Sequence, residues 1–411
     1  MKSIAVITPN YYPETNAGAR RVTAIAEHLA ACGWRVRAIT HLPHHPQNRV
    51  YDEYDVTSPD CRRENGVEVT RIRPWIVPRA KLTLRFLSEM LFCLQALPHV
   101  LHGRSTIILA TSPYMLLGPL GLLASRLSRA RFVWDVRDLT WQYAKATGKR
   151  SYGLDRPIEQ LMKMTARQSH ALTTATNGQL LYFDRRPKMA MVLSNGLAAT
   201  VFDSLSRLPN SEPMQQRRPR VLYAGLLGYP QALLTLVRAA ALLPEVDFAL
   251  VGDGPERGLL EAEVQERNLS NVTFGGYVAF DALTSYYAWA DILIAHLRSD
   301  PAFEVAQPSK LWEYMATGKP VIYAGRSEAG DIIREHDIGM VVPPEEPEVL
   351  AKAIRQLLHR PTRAAALGRR GQAFVTAHRS RALGLERLAK LLEALVSDKS
   401  ERSIERYLET T

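Results

Sequence analysis

The chain has 411 residues, 46% of them hydrophobic, with 52 Lys and Arg against 41 Asp and Glu. Its length exceeds one ordinary core and predicts two domains, and its apolar fraction excludes disorder over most of it. Cys32, Cys61 and Cys93 lie far apart and fit no metal or redox spacing, which predicts free thiols in a reducing compartment. The basic excess belongs to the first half. Residues 1–210 hold 28 basic and 15 acidic side chains, whereas the remaining 24 basic and 26 acidic ones nearly cancel. Such an excess suits nucleic acid or an anionic membrane surface. With no helix-turn-helix, zinc-finger or RNA-binding signature, the membrane is the better reading and no nucleic-acid partner is expected.

The opening run, residues 4–8, has the length of a strand and not of a secretory signal. A loop at 9–18 precedes a helix over 20–32, stopped by Gly33, and a strand over 35–40. This places a long loop at the carboxyl end of the first strand, where open parallel sheets bind ligands. The loop lacks G-x-G-x-x-G, so a dinucleotide is not indicated, but Asn16, Gly18 and Arg20 stand where a substrate would. Residues 41–63 read as loop and 67–73 as a strand near the sheet edge. The stretch 79–101 is rich in Leu and Phe and is flanked by Arg71, Arg73, Arg79, Lys81, Arg85 and Arg104. It suits either a lipid interface or a core helix with a solvated basic edge. Residues 105–125 are uncharged and long enough to span a bilayer. Thr111-Ser112-Pro113 and Gly118-Pro119 cut this segment, which predicts a strand over 106–110 and a helix over 115–126.

A strand over 131–135 ends in Asp135-Val136-Arg137-Asp138. Two carboxylates and an arginine at a strand end are costly unless paired or used, so a structural ion pair and a catalytic role both fit. Strands follow at 171–174 and 189–193, the second running into Ser194-Asn195-Gly196. Residues 208–219 are polar and proline-bounded, which predicts a linker between a basic first domain, 1–207, and a second over 220–380. A final segment, 381–411, carries a helix positioned to return to the first domain.

The second half restarts the strand–loop–helix pattern. A strand at 220–223 leads into Gly225-Leu226-Leu227-Gly228 and a helix over 231–243. Strands follow at 247–251, 272–274 and 292–295, the middle one ending in Gly275-Gly276-Tyr277. The alternation in both halves predicts an α/β fold of two doubly wound, Rossmann-like domains facing across a cleft.

The stretch Gln307 to Tyr323 (QPSKLWEYMATGKPVIY) reads as loop, short helix, glycine stop and strand. Ser309 or Gln307 is placed to cap, and Pro308 suits the first turn. Ser309 and Glu313 share a face with Lys310 beside them, and Glu313 lies about 6 Å further along the axis. A diphosphate at the helix tip would bring a ribose to that carboxylate. An ordinary capped helix with a Lys310–Glu313 pair satisfies the same spacing.

Several stretches together resemble the retaining glycosyltransferases of the GT-B fold, family four, and most closely the bacterial enzymes that build lipopolysaccharide O-antigen, capsule or exopolysaccharide. They are NYYPETNAGARR, ATSPY, FVWDVRDL, LSNG, VGDGPE, FGGYV, ADILIAHL and PSKLWEYMATGKPVI. The resemblance implies transfer of a hexosyl or N-acetylhexosaminyl unit from a nucleotide-sugar donor, uridine before guanosine, with no metal and no other cofactor. Glu313 would hold the ribose, and Gly276, Tyr277 and Val278 would lie against the base. Gly225, Gly228, Ser309 and Lys310 would approach the diphosphate and the sugar. Lys310, Arg137 and Asp138 are the catalytic candidates. Asn16, Gly18, Arg20 and Asp135 would meet an acceptor held on a polyprenyl-diphosphate carrier, with the enzyme cytoplasmic and peripheral at the inner membrane face. Three departures stand out. Val305 occupies the first position of the E-x7-E signature, with Glu304 one residue off. Tyr229 and Gln231 stand where many relatives carry a basic pair, and Arg137-Asp138 where many carry a histidine. A nucleotide-sugar epimerase of the same architecture and a non-catalytic nucleotide-sugar-binding module are the alternatives.

Overall fold

The computed structural model describes residues 2–45, 48–57, 59–77, 82–146, 155–209 and 217–397. Arg79, Lys81 and most of the expected linker lie outside these residues, as does the chain after 397. The chain forms two compact units, Met1–Ser194 with Leu383–Thr411, and Asn195–Ala382.

The first unit is built on an eight-stranded sheet. Its strands are β1 (Ser3–Ile7), β2 (Arg35–His41), β3 (Asp60–Glu64), β4 (Val67–Ile72), β5 (Ile107–Thr111), β6 (Arg131–Val136), β7 (Ala171–Thr174) and β8 (Met189–Val192), in the order β3-β4-β2-β1-β5-β6-β7-β8. All pairings are parallel except β3 with β4. The central strands are continuous apolar runs because helices cover both faces of a parallel sheet. The last helix, Arg381–Ser397, places Leu388, Leu391, Leu392 and Leu395 in the same core as Ile4, Val6 and Met191.

Two expectations for this unit are corrected, and the reading of residues 105–125 as strand then helix holds. Residues 41–63 are not all loop, since β3 forms a hairpin with β4. Asn65 and Gly66 have φ of 47° and 84°, as a two-residue hairpin turn requires. The buried Arg71 guanidinium holds this edge through Glu64 at 2.7 Å and Asp60 at 3.5 Å. The first helix spans Ala17–Ala31 and begins before Arg20, because Asn16 is its N-cap and accepts the Ala19 amide at 2.9 Å. The segment 105–125 is strand β5 and the helix Leu117–Ser128, with no continuous helix through it. The preceding helix, Leu82–His102, is long and apolar enough to cross a bilayer, yet Phe92, Cys93, Ala96 and Val100 are buried in the unit.

The second unit has a six-stranded, wholly parallel sheet. Its strands are β9 (Arg220–Ala224), β10 (Asp247–Val251), β11 (Val272–Gly276), β12 (Ile292–His296), β13 (Val321–Ala324) and β14 (Met340–Val342), in the order β11-β10-β9-β12-β13-β14. The expected helix over 231–243 is shorter. A 3-10 turn, Tyr229–Gln231, and a left-handed Ala232 precede Leu234–Ala241. The division between units falls at Ser194–Asn195, ahead of the expected linker. The cause is the helix Ala199–Ser206, whose Leu205 packs with Trp312 and Met315 of the second unit.

One buried ion pair ties the carboxyl ends of β5, β6 and β7 together. Asp135 is fully buried and accepts from Arg21 Nη2 at 2.8 Å, Thr111 Oγ1 at 2.8 Å and Thr173 Oγ1 at 2.7 Å. Arg21 also donates to the Leu193 carbonyl at 2.7 Å. Burial pushes the Asp135 carboxyl upward, but Arg21 and the hydroxyl donors outweigh it and hold it below its ordinary value. Removing Arg21 leaves a buried carboxylate uncompensated, at a cost of about 3–5 kcal/mol. Arg21→Met should therefore lower the urea midpoint of the first unit, and Arg21→Met with Asp135→Asn should recover part of it. An unchanged midpoint in the single variant would contradict this role.

Candidate active site

In the second unit the strand order reverses between β9 and β12, the position where such sheets present ligand sites. The loop after β9 begins with Gly225, and the helix Lys310–Ala316 lies between β12 and β13. Tyr314 pins that helix to β9, since its hydroxyl accepts the Ala224 amide and donates to the Ala224 carbonyl, each at 2.8 Å. Leu311, Trp312 and Met315 are buried beneath it.

This anchoring holds Lys310 against Gly225. The ammonium donates to Tyr223 Oη and stands 3.9 Å from the centre of that ring. The Tyr223 hydroxyl in turn donates to the Leu226 carbonyl at 2.7 Å. Among the described residues no ion pair reaches Lys310. Burial lowers its pKa to about 7, against a weaker upward pull from Glu313. Gly225 has a φ of +144°, and a Cβ there would stand 2.5 Å from Lys310 Nζ, so the close approach depends on glycine. Glu313, half-buried, accepts from the Tyr287 hydroxyl at 3.3 Å. Ser309 does not cap the helix as expected. It is already helical, at φ −58° and ψ −30°, and its side chain makes no capping bond.

The other predicted donor residues surround the same sheet end. Gly228 is extended and precedes the Tyr229–Gln231 turn. Gly276 closes β11 with a φ of 66° and accepts the Gly252 amide at 2.7 Å. Tyr277 is 61% exposed just beyond it, while Val278 packs on the core. Val305 ends the short helix Pro301–Glu304 and Glu304 is exposed. Arg298, which the sequence reading did not single out, brings a cation to Tyr229. Its guanidinium lies 4.0 Å from that ring and pairs with Glu345 at 3.1 Å.

In the first unit the structure separates the Asp135–Asp138 cluster. The carboxylate of Asp135 is enclosed and bonded to Arg21, so it is a structural anchor and not an exposed acceptor contact. The ion pair weighed for this segment exists, but its arginine comes from the first helix. Arg137 fills the space that Gly18 leaves, where a Cβ would stand 2.6 Å from Nη1. Burial lowers the Arg137 pKa, with Asp138 pulling it back, and its Nε is buried without a protein partner among the described residues. Asp138 is hydrogen-bonded to Tyr143. Asn16 is occupied as a cap, and its amide donates to Glu14 at 3.2 Å, while Arg20 Nε donates to the Thr15 carbonyl at 2.6 Å.

Arg21 and Glu14 were missed. For Arg21 a signal existed, because it falls on the apolar stripe with Ile25 and Leu29, where an unpaired charge would be costly. Glu14 is buried, and its Oε1 accepts the His44 and His45 amides, each at 2.9 Å. Nothing local in the sequence announces that role.

The crowded Lys310 ammonium disfavours the charged form in the folded chain relative to an ordinary lysine at 10.5. That penalty is complete below pH 7, shrinks as pH rises towards 10.5 and is absent above it. Lys310→Met should thus raise the thermal midpoint at pH 6, and the gain should fade in scans taken at pH 9 to 10.

Comparison with known proteins completes the assignment. Residues 16–196 match the family described as "Glycosyl transferase 4-like domain" and residues 218–360 the family described as "Glycosyl transferases group 1". A colanic acid biosynthesis glycosyl transferase, so named in Escherichia coli (strain K12), is 28% identical over 385 residues, covering 86% of this chain and 92% of that protein. D-rhamnosyltransferase WbpZ of Pseudomonas aeruginosa is 31% identical over 157 residues, 37% of this chain and 39% of that one. Sucrose-phosphate synthase from Thermosynechococcus elongatus superposes with a TM-score of 0.76 at 23% identity, over 97% of this chain and 100% of its own. Anabaena HepE, solved in complex with UDP-glucose, gives a TM-score of 0.69 at 16% identity, over 97% and 100%. With both sheets and both family matches in the same order along the chain, this protein is a glycosyltransferase of GT-B fold, its first part matching the 4-like glycosyl transferase domain and its second the group 1 glycosyl transferases, and it is related to bacterial enzymes of polysaccharide biosynthesis.

Proposed function

We propose that the enzyme transfers a sugar from a nucleoside diphosphate to a hydroxyl of a lipid-linked saccharide, with retention at the anomeric carbon. The observation that carries this reading is the desolvated Lys310 ammonium against Gly225, with only a phenol for partner, one turn before Glu313. A half-buried cation with no ion-pair partner among the described residues favours an anionic ligand. The diphosphate takes that position, and the Glu313 carboxylate, one turn along the same helix, receives the ribose hydroxyls. Gly228, Ser309 and Gly276-Tyr277-Val278 complete the donor site. As the glycosidic bond to the diphosphate breaks, negative charge grows on the leaving phosphate, and Lys310 stabilises it. Arg137 and Asp138 act on the acceptor side with Asn16, Gly18 and Arg20. Retention follows from the resemblance of the signature stretches. Uridine is the first base to test, since a protein of the same fold has been solved with UDP-glucose.

The acceptor reading draws on the helix Leu82–His102. Phe86, Leu87, Met90, Leu91 and Leu94 are exposed and share one face of it. With the basic excess of residues 1–210, that face suits an anionic membrane surface, where lipid-linked saccharides reside. This makes the enzyme peripheral at the inner face of the membrane.

Four measurements test the reading. UDP or GDP should raise the thermal midpoint by mass action, and Glu313→Ala should abolish the shift. No shift with either would contradict the donor site. Lys310→Ala should lower kcat far more than it raises donor KM, whereas a pure KM effect would remove Lys310 from leaving-group stabilisation. Because Lys310 is half neutral near pH 7 and must be charged to hold a diphosphate, nucleotide affinity should fall as pH rises above about 7. Lys310→Arg should flatten that dependence. Finally, Leu94→Glu should weaken binding to phosphatidylglycerol-containing vesicles in a flotation assay.

A further inference from the structure

The first unit contains a cavity of about 260 Å³ that none of the assigned residues line. We propose that this cavity, walled by His44, His45, Trp75, Arg85, Glu89 and Tyr114, seats the terminal sugar of the acceptor and accepts an uncharged ring in preference to an acidic or phosphorylated one. The proposal rests on the transferase reading and gives that acceptor a chemical class.

The walls come from segments that follow the carboxyl ends of β2, β4 and β5, together with the helix Leu82–His102. They are rigidly held. The Glu14 carboxylate fixes the His44–His45 backbone by accepting a hydrogen bond of 2.9 Å from each of their amides, and the Tyr51 hydroxyl donates to the His45 carbonyl at 2.6 Å. Ser88 Oγ donates to the Trp75 carbonyl at 2.7 Å, joining the helix to the segment after β4. The volume lies below the roughly 300–1,000 Å³ usual for drug-sized ligands, which suits one ring and not an extended chain.

Its polar groups favour hydroxyls. Glu89 is buried and accepts the Met115 amide at 3.0 Å. Burial raises its carboxyl to about 7, while the Met115 and Leu116 amides and Arg85 pull the other way. A buried carboxylate that is incompletely paired gains from hydroxyl donors, which a sugar supplies in adjacent pairs. A second carboxylate, Glu14, lies behind the His44 wall, its Oε1 3.5 Å from His44 Nδ1. Among the described residues, two carboxylates against Arg85 leave no surplus of positive charge for a phosphate or uronate. Trp75, 43% exposed, offers an aromatic face to the apolar side of a ring. Behind these walls the buried His41 packs on Phe92 and Tyr114, with neither ring nitrogen bonded among the described residues.

The helix also orients such an acceptor. At 100° per residue, Arg85, Ser88 and Glu89 point one way, and Phe86, Leu87, Met90, Leu91 and Leu94 point the other. A sugar in the cavity is separated from the apolar face by about one helix diameter, roughly 10–12 Å.

The test uses the full chain and saturation-transfer NMR. The neutral probes are methyl α-D-glucopyranoside, methyl α-D-galactopyranoside and methyl N-acetyl-α-D-glucosaminide, set against methyl α-D-glucuronide and glucose 6-phosphate. At least one neutral glycoside should bind saturably and more tightly than either charged sugar. Glu89→Gln and Trp75→Ala should each weaken it about tenfold or more, the worth of one charge-assisted hydrogen bond or one aromatic contact. The thermal shift given by UDP or GDP is recorded on every variant as a check on folding and, separately, on the donor site. No neutral glycoside binding, tighter binding of the charged sugars, or binding unaffected by both substitutions would overturn the proposal while a nucleotide shift left the transferase reading standing. Glycoside binding lost in both variants, with no nucleotide shift in the unsubstituted chain, would uphold the cavity as a sugar site and overturn the donor reading instead.

Discussion

Everything at the carboxyl edge of the first sheet depends on the pairing of Arg21 with Asp135. Burying a carboxylate at the end of a strand is costly, and the cost is offset only because every neighbouring element contributes a donor. Thr111 ends β5, Thr173 lies in β7, and Arg21 arrives from the first helix while also binding the Leu193 carbonyl beyond β8. The result is a knot of short bonds under the loops that carry Ser112, Arg137 and Asp138. The second unit treats its charge in the opposite way. Lys310 is half-buried and has only a phenol oxygen and a ring face to lie on. A closed charge pair fixes a structure, whereas an open one leaves interaction energy to be realised when a ligand arrives.

The two sites proposed for donor and acceptor thereby differ in physical character. The one in the second unit is a cation held by backbone geometry, with glycine where any side chain would displace it. The cavity in the first unit is lined by the Glu89 carboxylate and the His44 and His45 imidazoles. The helix Leu82–His102 joins polar recognition and apolar exposure in one element, with buried and exposed faces on opposite sides of its axis.

Much of this was legible in the sequence, for identifiable reasons. The inner strands are unbroken apolar runs, and few other structures accommodate such runs between glycine and proline stops. The placement of Lys310 and Glu313 one turn apart was legible because it is local, set by a single helical turn, although the two form no ion pair among the described residues. The β3 strand was not, since Asp60–Glu64 has no apolar alternation and exists only because a hairpin turn and Arg71 hold it. The Asn16 cap was overlooked because the small residues after it carry no periodic signal. Asp135 was assigned to the acceptor, with an ion pair as the alternative, because its partner Arg21 lies 114 residues away and the helix face that delivers it is settled by packing. Glu14 was invisible for the same reason, its partners being main-chain amides of another segment.

The division of the chain has a further consequence for synthesis on the ribosome. The first unit is interrupted at Ser194 and resumes only at Leu383, with the whole second unit inserted between. Leu388, Leu391, Leu392 and Leu395 close a core that Ile4 and Val6 began, so the earliest strand waits for the latest helix. At 5–20 residues per second the inserted stretch takes roughly 10–40 s to emerge. Through that interval the second unit has all the residues it needs to fold while the first keeps an apolar face uncovered. A chain ending before Leu383 would carry both complete sheets and still lack the leucines that cover the core beside Ile4 and Val6.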